Sequence, residues 1–469
     1  MIESTRRTTR RIRGLAATAA VVALGFAAAP ASAQSLQEAL AAAYASNPTL
    51  TGQRAAQRAT DEGVPQALSG WRPSVSFSGN AGFQSIDTET SGTTAIRTPS
   101  NTTETNPYQV TLQATQPLYK FTTNPQIDSA EAQVLAGRAT LTGTEQTVLL
   151  NGTTAYLTVL RDGSVLELNR NNEQVLRRQL EATQDRFRVG EVTRTDVAQA
   201  EAALAGAVAS RIQAEGNLIT SRANFEQVFG FPPGNLTQPP LPSDLPRSED
   251  EAWAQAQDQN PDYAAARYRE IASKHDVDAT TGQLLPQLNL VGTLNRSNET
   301  TTPNLTTNSA QILGQVTMPL YEAGNVYSQV RQRKQVNSQR KLQIDETGRQ
   351  VRRNAVSTWE NLLTARANIE SLQAQVNANR IALDGIQQEA AVGSRTVLDV
   401  LITEQNLLNS EVSLVRARYD EAVASYGLKA VVGTMTAPGM KLPVELYDPT
   451  ANYKRVRNKW LGLGIGNGD

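Results

Sequence analysis

The stretch RVGEVTRTDVA (residues 188–198) returns as AVGSRTVLDVL (residues 391–401), so that Val189-Gly190 with Asp196 six residues past the glycine is matched by Val392-Gly393 with Asp399. Upstream, Pro117-Leu118-Tyr119 and Pro319-Leu320-Tyr321 each open a run of about seventy residues with hardly a turn signal. The offset is 202 or 203 residues at these landmarks and 213 for an earlier pair, Asn47-Pro48 with Pro73 and Asn260-Pro261 with Pro286. Recurrence at nearly fixed spacing means one structural unit built twice.

Outward from the two glycines the chain reads as helix. From Phe121 to Val189 there is no proline after Pro125, and from Ala323 to Val392 there is none. At ~1.5 Å per residue, such helices are on the order of 100 Å long. In the second run Leu362, Ile369, Leu372, Val376, Leu383, Ile386 and Ala390 follow one another at steps of 7, 3, 4, 7, 3 and 4. That is a coiled-coil seam. The first run is looser, with Leu149 and Tyr156, then Leu180 and Phe187, seven apart. Past each glycine a shorter helix returns, and Leu401, Leu408, Val415 and Ala422 continue the heptads there. The reading is a pair of helical hairpins, residues 122–229 and 322–432. Helices near 48–67 and 262–283 have the length to stack end-on with the shorter arms.

Ahead of each hairpin the period changes to two. Val75, Phe77, Ala81 and Phe83 alternate with Ser76, Ser78, Asn80 and Gln84. Tyr108, Val110, Leu112 and Ala114 alternate with Gln109, Thr111, Gln113 and Thr115. Leu288, Leu290 and Leu294, then Ala310, Ile312, Val316 and Met318, do the same in the second copy. Strands are predicted over 73–86, 107–118, 286–297 and 309–320, each with one apolar and one uncharged polar face. Their length suits tilted transmembrane strands of ~10 residues. No segment after residue 33 has eighteen consecutive apolar residues, so a membrane location would require a β-barrel. Four strands cannot close a barrel and would leave bare edges in lipid, so they must be shared among subunits. Three chains supply twelve strands; two would supply eight and enclose little channel.

Composition narrows the class. Residues 1–33 read as a signal peptide: Arg6, Arg7, Arg10, Arg11 and Arg13, an apolar run from Leu15 to Ala29, then Ala31-Ser32-Ala33. Its removal leaves 39 basic and 44 acidic residues, a net charge of −5, which offers nothing to a nucleic acid. Cysteine is absent, which excludes disulfides, cysteine metal sites and a lipid-modified cysteine. No catalytic, cofactor or metal motif stands out, and His275, the sole histidine, reads as a surface residue. The expected organisation is a first unit over 34–232, a Pro-rich linker over 233–247, a second unit over 248–433 and a C-terminal extension over 434–469 near mid-length. A periplasmic coiled-coil adaptor is the alternative. It would carry one hairpin, a small β-rich module and no lipid-facing strands.

Leu320-Tyr321 after a strand, Val392-Gly393-Ser394-Arg395-Thr396, Asp399-Val400-Leu401, and in the first copy Val189-Gly190 and Thr195-Asp196, resemble the TolC family of outer-membrane channels. The resemblance covers residues 36–433. It implies an α+β membrane protein of a Gram-negative outer membrane: a homotrimeric twelve-stranded β-barrel, four strands per chain, continued by a periplasmic α-helical coiled-coil barrel. It implies a passive exit duct for small toxic compounds or unfolded secreted proteins, opened by a periplasmic adaptor and an ABC or proton-driven inner-membrane pump. By the same resemblance Arg395 links to Thr195 and Asp196 as a gate, Asp399 faces the pore, and the turns at Val189, Gly190, Val392 and Gly393 dock the adaptor. Helix capping at Thr195 and Asp196, a solvated surface charge at Asp399 and plain turn chemistry at the glycines are the alternatives. Two positions depart from the family pattern. Ile402 stands where a second pore aspartate is expected, and Ala390 where a gate tyrosine often lies.

Overall fold

The computed structural model describes residues 34–88, 101–300 and 302–465; the expected signal peptide lies outside them. Helices α1 (Leu36–Ser46), α2 (Pro48–Asp61) and α3 (Gly63–Leu68) lead into strands β1 (Ser74–Ala81), β2 (Gln84–Thr88), β3 (Asn101–Thr105) and β4 (Tyr108–Tyr119). The first hairpin is α4 (Thr123–Arg188) and α5 (Arg194–Phe229). Then come α6 (Glu249–Gln259), α7 (Pro261–Thr281), β5 (Gln287–Asn298) and β6 (Thr306–Thr317). The second hairpin, α8 (Asn325–Ala391) and α9 (Val397–Val431), and a short α10 (Ala451–Val456) complete the chain. None of the described helices is long and apolar enough to cross a membrane.

Local chemistry sets the boundaries, and it does so twice. Asn47 caps α2: its Oδ1 accepts from Thr49 N–H at 2.9 Å, and its Nδ2 donates to the carbonyl of Val228 near the end of α5. Asn260 caps α7 in the same way, with Asp262 N–H at 3.0 Å and the carbonyl of Val431 at the end of α9. Proline follows both asparagines at the first helical position, where its missing N–H costs nothing. Each asparagine thus splices a short helix onto the end of a hairpin arm. Below the splices α4 packs on α5 and α9, and α8 on α9; above them α4 packs on α2 and α7, and α7 on α8.

The four long strands form one antiparallel sheet in the order β1-β4-β5-β6, so β1 and β6 are open edges. Directly paired residues share a face. One row reads Val75, Ala114, Gly292, Ile312 and the next Phe77, Leu112, Leu294, Ala310. The opposite face reads Ser76, Gln113, Thr293, Gln311, then Ser78, Thr111, Asn295, Ser309. There Asn295 Oδ1 accepts from Gln109 and Thr111 at 2.9 and 3.0 Å. Phe77 and Ile312 are 72% and 77% exposed, so one chain leaves its apolar sheet face bare.

Two strand boundaries and the path of the extension differ from the sequence expectation. The strand expected over 73–86 stops at Ala81; Gly82 N–H donates to the carbonyl of Pro107, and Gln84–Thr88 pairs separately with Asn101–Thr105 as a small outer hairpin. The strand expected over 309–320 spans Thr306–Thr317, because Pro319 has no N–H to give a ladder. The extension from 434 onward does not stay at mid-length. Met435, Ala437 and Leu442 enter the largest core cluster with Leu40, Leu149, Tyr156, Phe225 and Phe229. The chain then climbs towards the sheet, with Tyr447 N–H on the Tyr44 hydroxyl, Asn452 on Asp61 and Arg457 on Glu131.

The Pro-rich linker lies over that core. Tyr156 Oη sits 2.7 Å from the carbonyls of both Gln34 and Thr237 and accepts from Thr237 N–H at 3.0 Å. Lys429, nearly buried, reaches Asp244 at 2.5 Å. Burial of a Phe side chain is worth about 1.5–3 kcal/mol, so the Tyr156–Phe225–Phe229 cluster anchors the mid-section.

The hairpin tips and the candidate gate

Both hairpins turn on a glycine in the left-handed region: φ is +83° at Gly190 and +81° at Gly393. The closures match. Glu191 N–H donates to the carbonyl of Arg186, and Ser394 N–H to that of Glu389. A side chain at either glycine would meet open space but a strained backbone. The preceding valines project outward, Val189 being 73% and Val392 81% exposed.

The returning helices start with capping boxes. Thr193 Oγ1 accepts from Asp196 N–H at 3.3 Å, while Asp196 Oδ2 accepts from Thr193 N–H and hydroxyl at 2.8 and 2.7 Å. Thr396 and Asp399 repeat this, Oδ2 accepting at 3.0 and 2.8 Å. The T-x-x-D spacing of a capping box is visible in both stretches. Thr193 and Thr396 are the N-caps, Asp196 and Asp399 are their reciprocal partners at the third helical position, and Thr195 lies outside the box. Thr195 is exposed.

Within one chain Arg395 and Asp196 are not joined. Arg395 Nε donates to Glu389 Oε2 at 2.8 Å across the turn, a partner that the sequence reading did not single out. Its signal was an acid in the last helical turn, where the dipole favours a base. The Glu389 bond and charge, then Asp399, hold Arg395 more firmly protonated. Asp399 is held below the ordinary carboxylate range by the Thr396 N–H and hydroxyl, then by Arg395. Its capping bonds all fall on Oδ2, leaving Oδ1 without a hydrogen bond among the described residues. Ile402, one turn on, is half exposed, and Ala390 gives only its carbonyl to the turn. No cluster of acids or histidines able to hold a metal ion occurs among the described residues.

Above the tip the second hairpin is laced by polar rungs at seven-residue steps along α8. Arg366 meets Glu421 at 3.2 Å, Gln373 meets Arg418 at 3.0 Å, Arg380 meets Glu411 at 2.8 Å and Gln387 meets Glu404 at 3.1 Å. Burial pushes the Glu404 carboxyl up, against the bond from Gln387. In the first hairpin a single cluster, Glu173 with Arg177 and Arg211, takes this role.

Residues 37–230 and 253–434 match the family model described as outer membrane efflux protein, one segment in each half of the chain. The outer membrane efflux protein BepC of Brucella suis biovar 1 is 34% identical over 440 residues, 93% of both chains. The outer membrane protein TolC of Escherichia coli is 25% identical over 86% of this chain and 83% of its own. The alkaline protease secretion protein AprF of Pseudomonas aeruginosa is 24% identical over 71% of each. Among solved structures, the Campylobacter jejuni outer membrane channel CmeC superposes with a TM-score of 0.73 at 17% identity, over 90% of this chain and 89% of its own. The outer-membrane channel OprN does so with a TM-score of 0.73 at 18% identity, over 85% and 89%. These matches exclude the periplasmic-adaptor alternative and fix the location as the outer membrane. They mark a channel family rather than an enzyme family. With two hairpins, a bare-edged sheet and relatives along most of its length, the chain belongs to the outer membrane efflux protein family and is an outer-membrane channel of the efflux and secretion class.

Proposed function

We propose that three copies join their sheets edge to edge, β6 of one to β1 of the next, into a twelve-stranded barrel whose hairpins form a periplasmic tube. The observation that supports this reading is the sheet itself. It has an apolar face on one side, an uncharged polar face on the other and two unpaired edges. Hydrocarbon tolerates no open edge, and twelve strands leave a water-filled lumen where eight would not. The polar face lines the lumen and the Phe77–Leu112–Leu294–Ala310 row meets lipid.

The duct is passive. A periplasmic adaptor docks on the turns at Val189-Gly190 and Val392-Gly393, and an inner-membrane pump drives transport. At the assembled tip Arg395 exchanges Glu389 for Asp196 and Thr195 of the adjoining hairpin, and that exchange biases the gate. Three Asp399 carboxylates, each with Oδ1 free, ring the axis and favour cations. With Ile402 in place of a second acid, the ring is single. Small toxic compounds are the proposed cargo, since the relative that aligns over 93% of both chains is an efflux protein. Secretion of unfolded protein, the role in AprF's name, is the other outcome.

Native mass of the detergent-extracted protein tests the assembly: a trimer is expected, and a monomer or dimer overturns the reading. Planar-bilayer recording tests the ring: Asp399→Asn is expected to lower cation selectivity and weaken block by multivalent cations, and an unchanged channel rejects it. Deletion followed by drug-sensitivity and secretome assays separates the two cargoes.

A further inference from the structure

The last described residues read Trp460-Leu461-Gly462-Leu463-Gly464-Ile465. Trp460, Leu461, Leu463 and Ile465 are 64%, 90%, 102% and 76% exposed. An uncovered apolar run of this kind marks a contact with something outside the chain.

Its position is fixed by one arginine. Arg72 Nη1 donates to the carbonyl of Lys459 at 2.8 Å, Nη2 reaches that of Arg457 at 3.4 Å, and the guanidinium lies 4.9 Å from the centre of the Trp460 ring. Arg72 stands two residues before β1, and Gln116 near the end of β4 donates to the carbonyl of Trp71 at 2.8 Å. The run therefore lies at the end of the sheet nearest the helices. In an outer-membrane channel whose helices enter the periplasm, that level is the periplasm-facing leaflet.

Charge selects the occupant. No acid lies between Asp448 and Ile465, while Lys454, Arg455, Arg457 and Lys459 all do. Arg457 is paired with Glu131; the other three have no carboxylate within 4 Å among the described residues. Lys459 Nζ donates to the carbonyl of Gly464 at 2.6 Å and Arg455 to that of Ile465 at 2.8 Å, folding the apolar run back against the basic segment. The rim of an adjoining copy, Leu320 to Gly324 beyond β6, offers one carboxylate, Glu322. An anionic phospholipid surface answers both the charge and the apolar side chains.

We propose that residues 460–465 form a peripheral membrane anchor in the inner leaflet of the outer membrane. Leu461, Leu463 and Ile465 enter the upper acyl region, Trp460 lies at the headgroups, and Lys454, Arg455 and Lys459 face anionic phosphates. A chain without cysteine thereby gains a second hold on the bilayer without a covalent lipid. The inference rests on the barrel reading above.

Protein carrying Trp71→Phe, Trp253→Phe and Trp359→Phe, with Trp460 as the only tryptophan, is assembled and reconstituted into phosphatidylcholine–phosphatidylglycerol vesicles brominated near the top of the acyl chain. About half or more of the Trp460 emission is expected to be quenched, less with Leu461→Asp and Leu463→Asp, and less when phosphatidylglycerol is omitted. A companion protein with Trp460→Phe and Phe77→Trp in the same background reports on the sheet. If Phe77→Trp is quenched and Trp460 is not, the anchor is wrong and the barrel stands; if neither is quenched, the barrel reading falls with it. A Trp460 shielded from both brominated lipid and aqueous iodide is covered by an adjoining subunit, which also overturns the anchor.

Discussion

The two halves of the chain share their joints and differ in their faces. Asn47 and Asn260 make the same splices, Gly190 and Gly393 the same turns, and Thr193–Asp196 and Thr396–Asp399 the same caps. Yet α4 buries twenty-one residues among α2, α5, α7 and α9, whereas α8 buries seven. On α8, Leu342 and Ile381 stand 68% and 75% exposed, and on α5 Ile219 is 63% exposed. This explains why the heptads are clean in one run and loose in the other. A helix surrounded on several sides spreads its apolar residues around its circumference, while one packed along a narrow line keeps them in a stripe. The tips diverge too. Arg186 pairs with Glu191 in the first, Glu389 with Arg395 in the second, and Val192 occupies the position that corresponds to Arg395.

The largest expected effect falls on the first half. Phe225→Ala removes a fully buried ring whose centre lies 4.2 Å from that of Phe229 and should cost about 3–5 kcal/mol in urea unfolding. Ile381→Ala should leave the isolated chain unchanged yet lower the temperature at which the assembly dissociates. If dissociation does not shift, the α8 face is not a subunit contact and the contrast loses its explanation.

Next come the joints. Asn47→Ala and Asn260→Ala each remove a cap and a tie to a hairpin arm, for about 1–2 kcal/mol apiece by the same unfolding assay. Equal costs would show that the halves are equivalent where they are spliced.

A pH-dependent effect is expected at Glu145 in the first half. Desolvation raises the Glu145 carboxyl above its ordinary 4.5, against the Ala437 N–H and Arg54, which lower it. The folded state therefore holds this proton more tightly than the unfolded state, and the contribution is lost as pH rises from 4.5 through the folded value. Glu145→Gln should match the parent protein near pH 4.5 and exceed its melting temperature at neutral pH. The smallest structural effect belongs to the tips. Arg395→Val, which makes the second tip resemble the first, should leave melting unchanged and raise channel open probability in bilayers. An unchanged open probability would place the gate elsewhere.

Much of this architecture was legible because its signals are local. Proline-free runs, glycine turns and the Asn-Pro steps announce helices and their ends within a few residues. Alternation disclosed the four long strands because each has an apolar face. It failed at Gln84–Thr88 and Asn101–Thr105, a pairing of largely polar residues that no periodicity reveals. The path of the extension depended on partners hundreds of residues away, such as Tyr44 for Tyr447 and Arg72 for Trp460. At the tip, the residue types were read correctly as charges beside a turn. The bonds these charges make within one chain were not legible: Asp196 meets Thr193 and Arg395 meets Glu389, neighbours that only the folded turn brings together.

The asparagine splices have a mechanical consequence. At mid-height, among the described residues, only α4 and α8 run unbroken, while α2 on α5 and α7 on α9 are butt joints, each tied by an asparagine amide donor and capped at the same point. A shaft made alternately of whole rods and jointed rods is stiff along its axis but yields in torsion. In the proposed tube, twist applied at the tip would be absorbed where the jointed rods meet, and the strands above need not follow. The linker side chain Asp244, clamped to Lys429, and the packed segment from Met435 to Leu442 bind that level like a collar, and in the proposed tube such a collar would limit how far the lower half could turn.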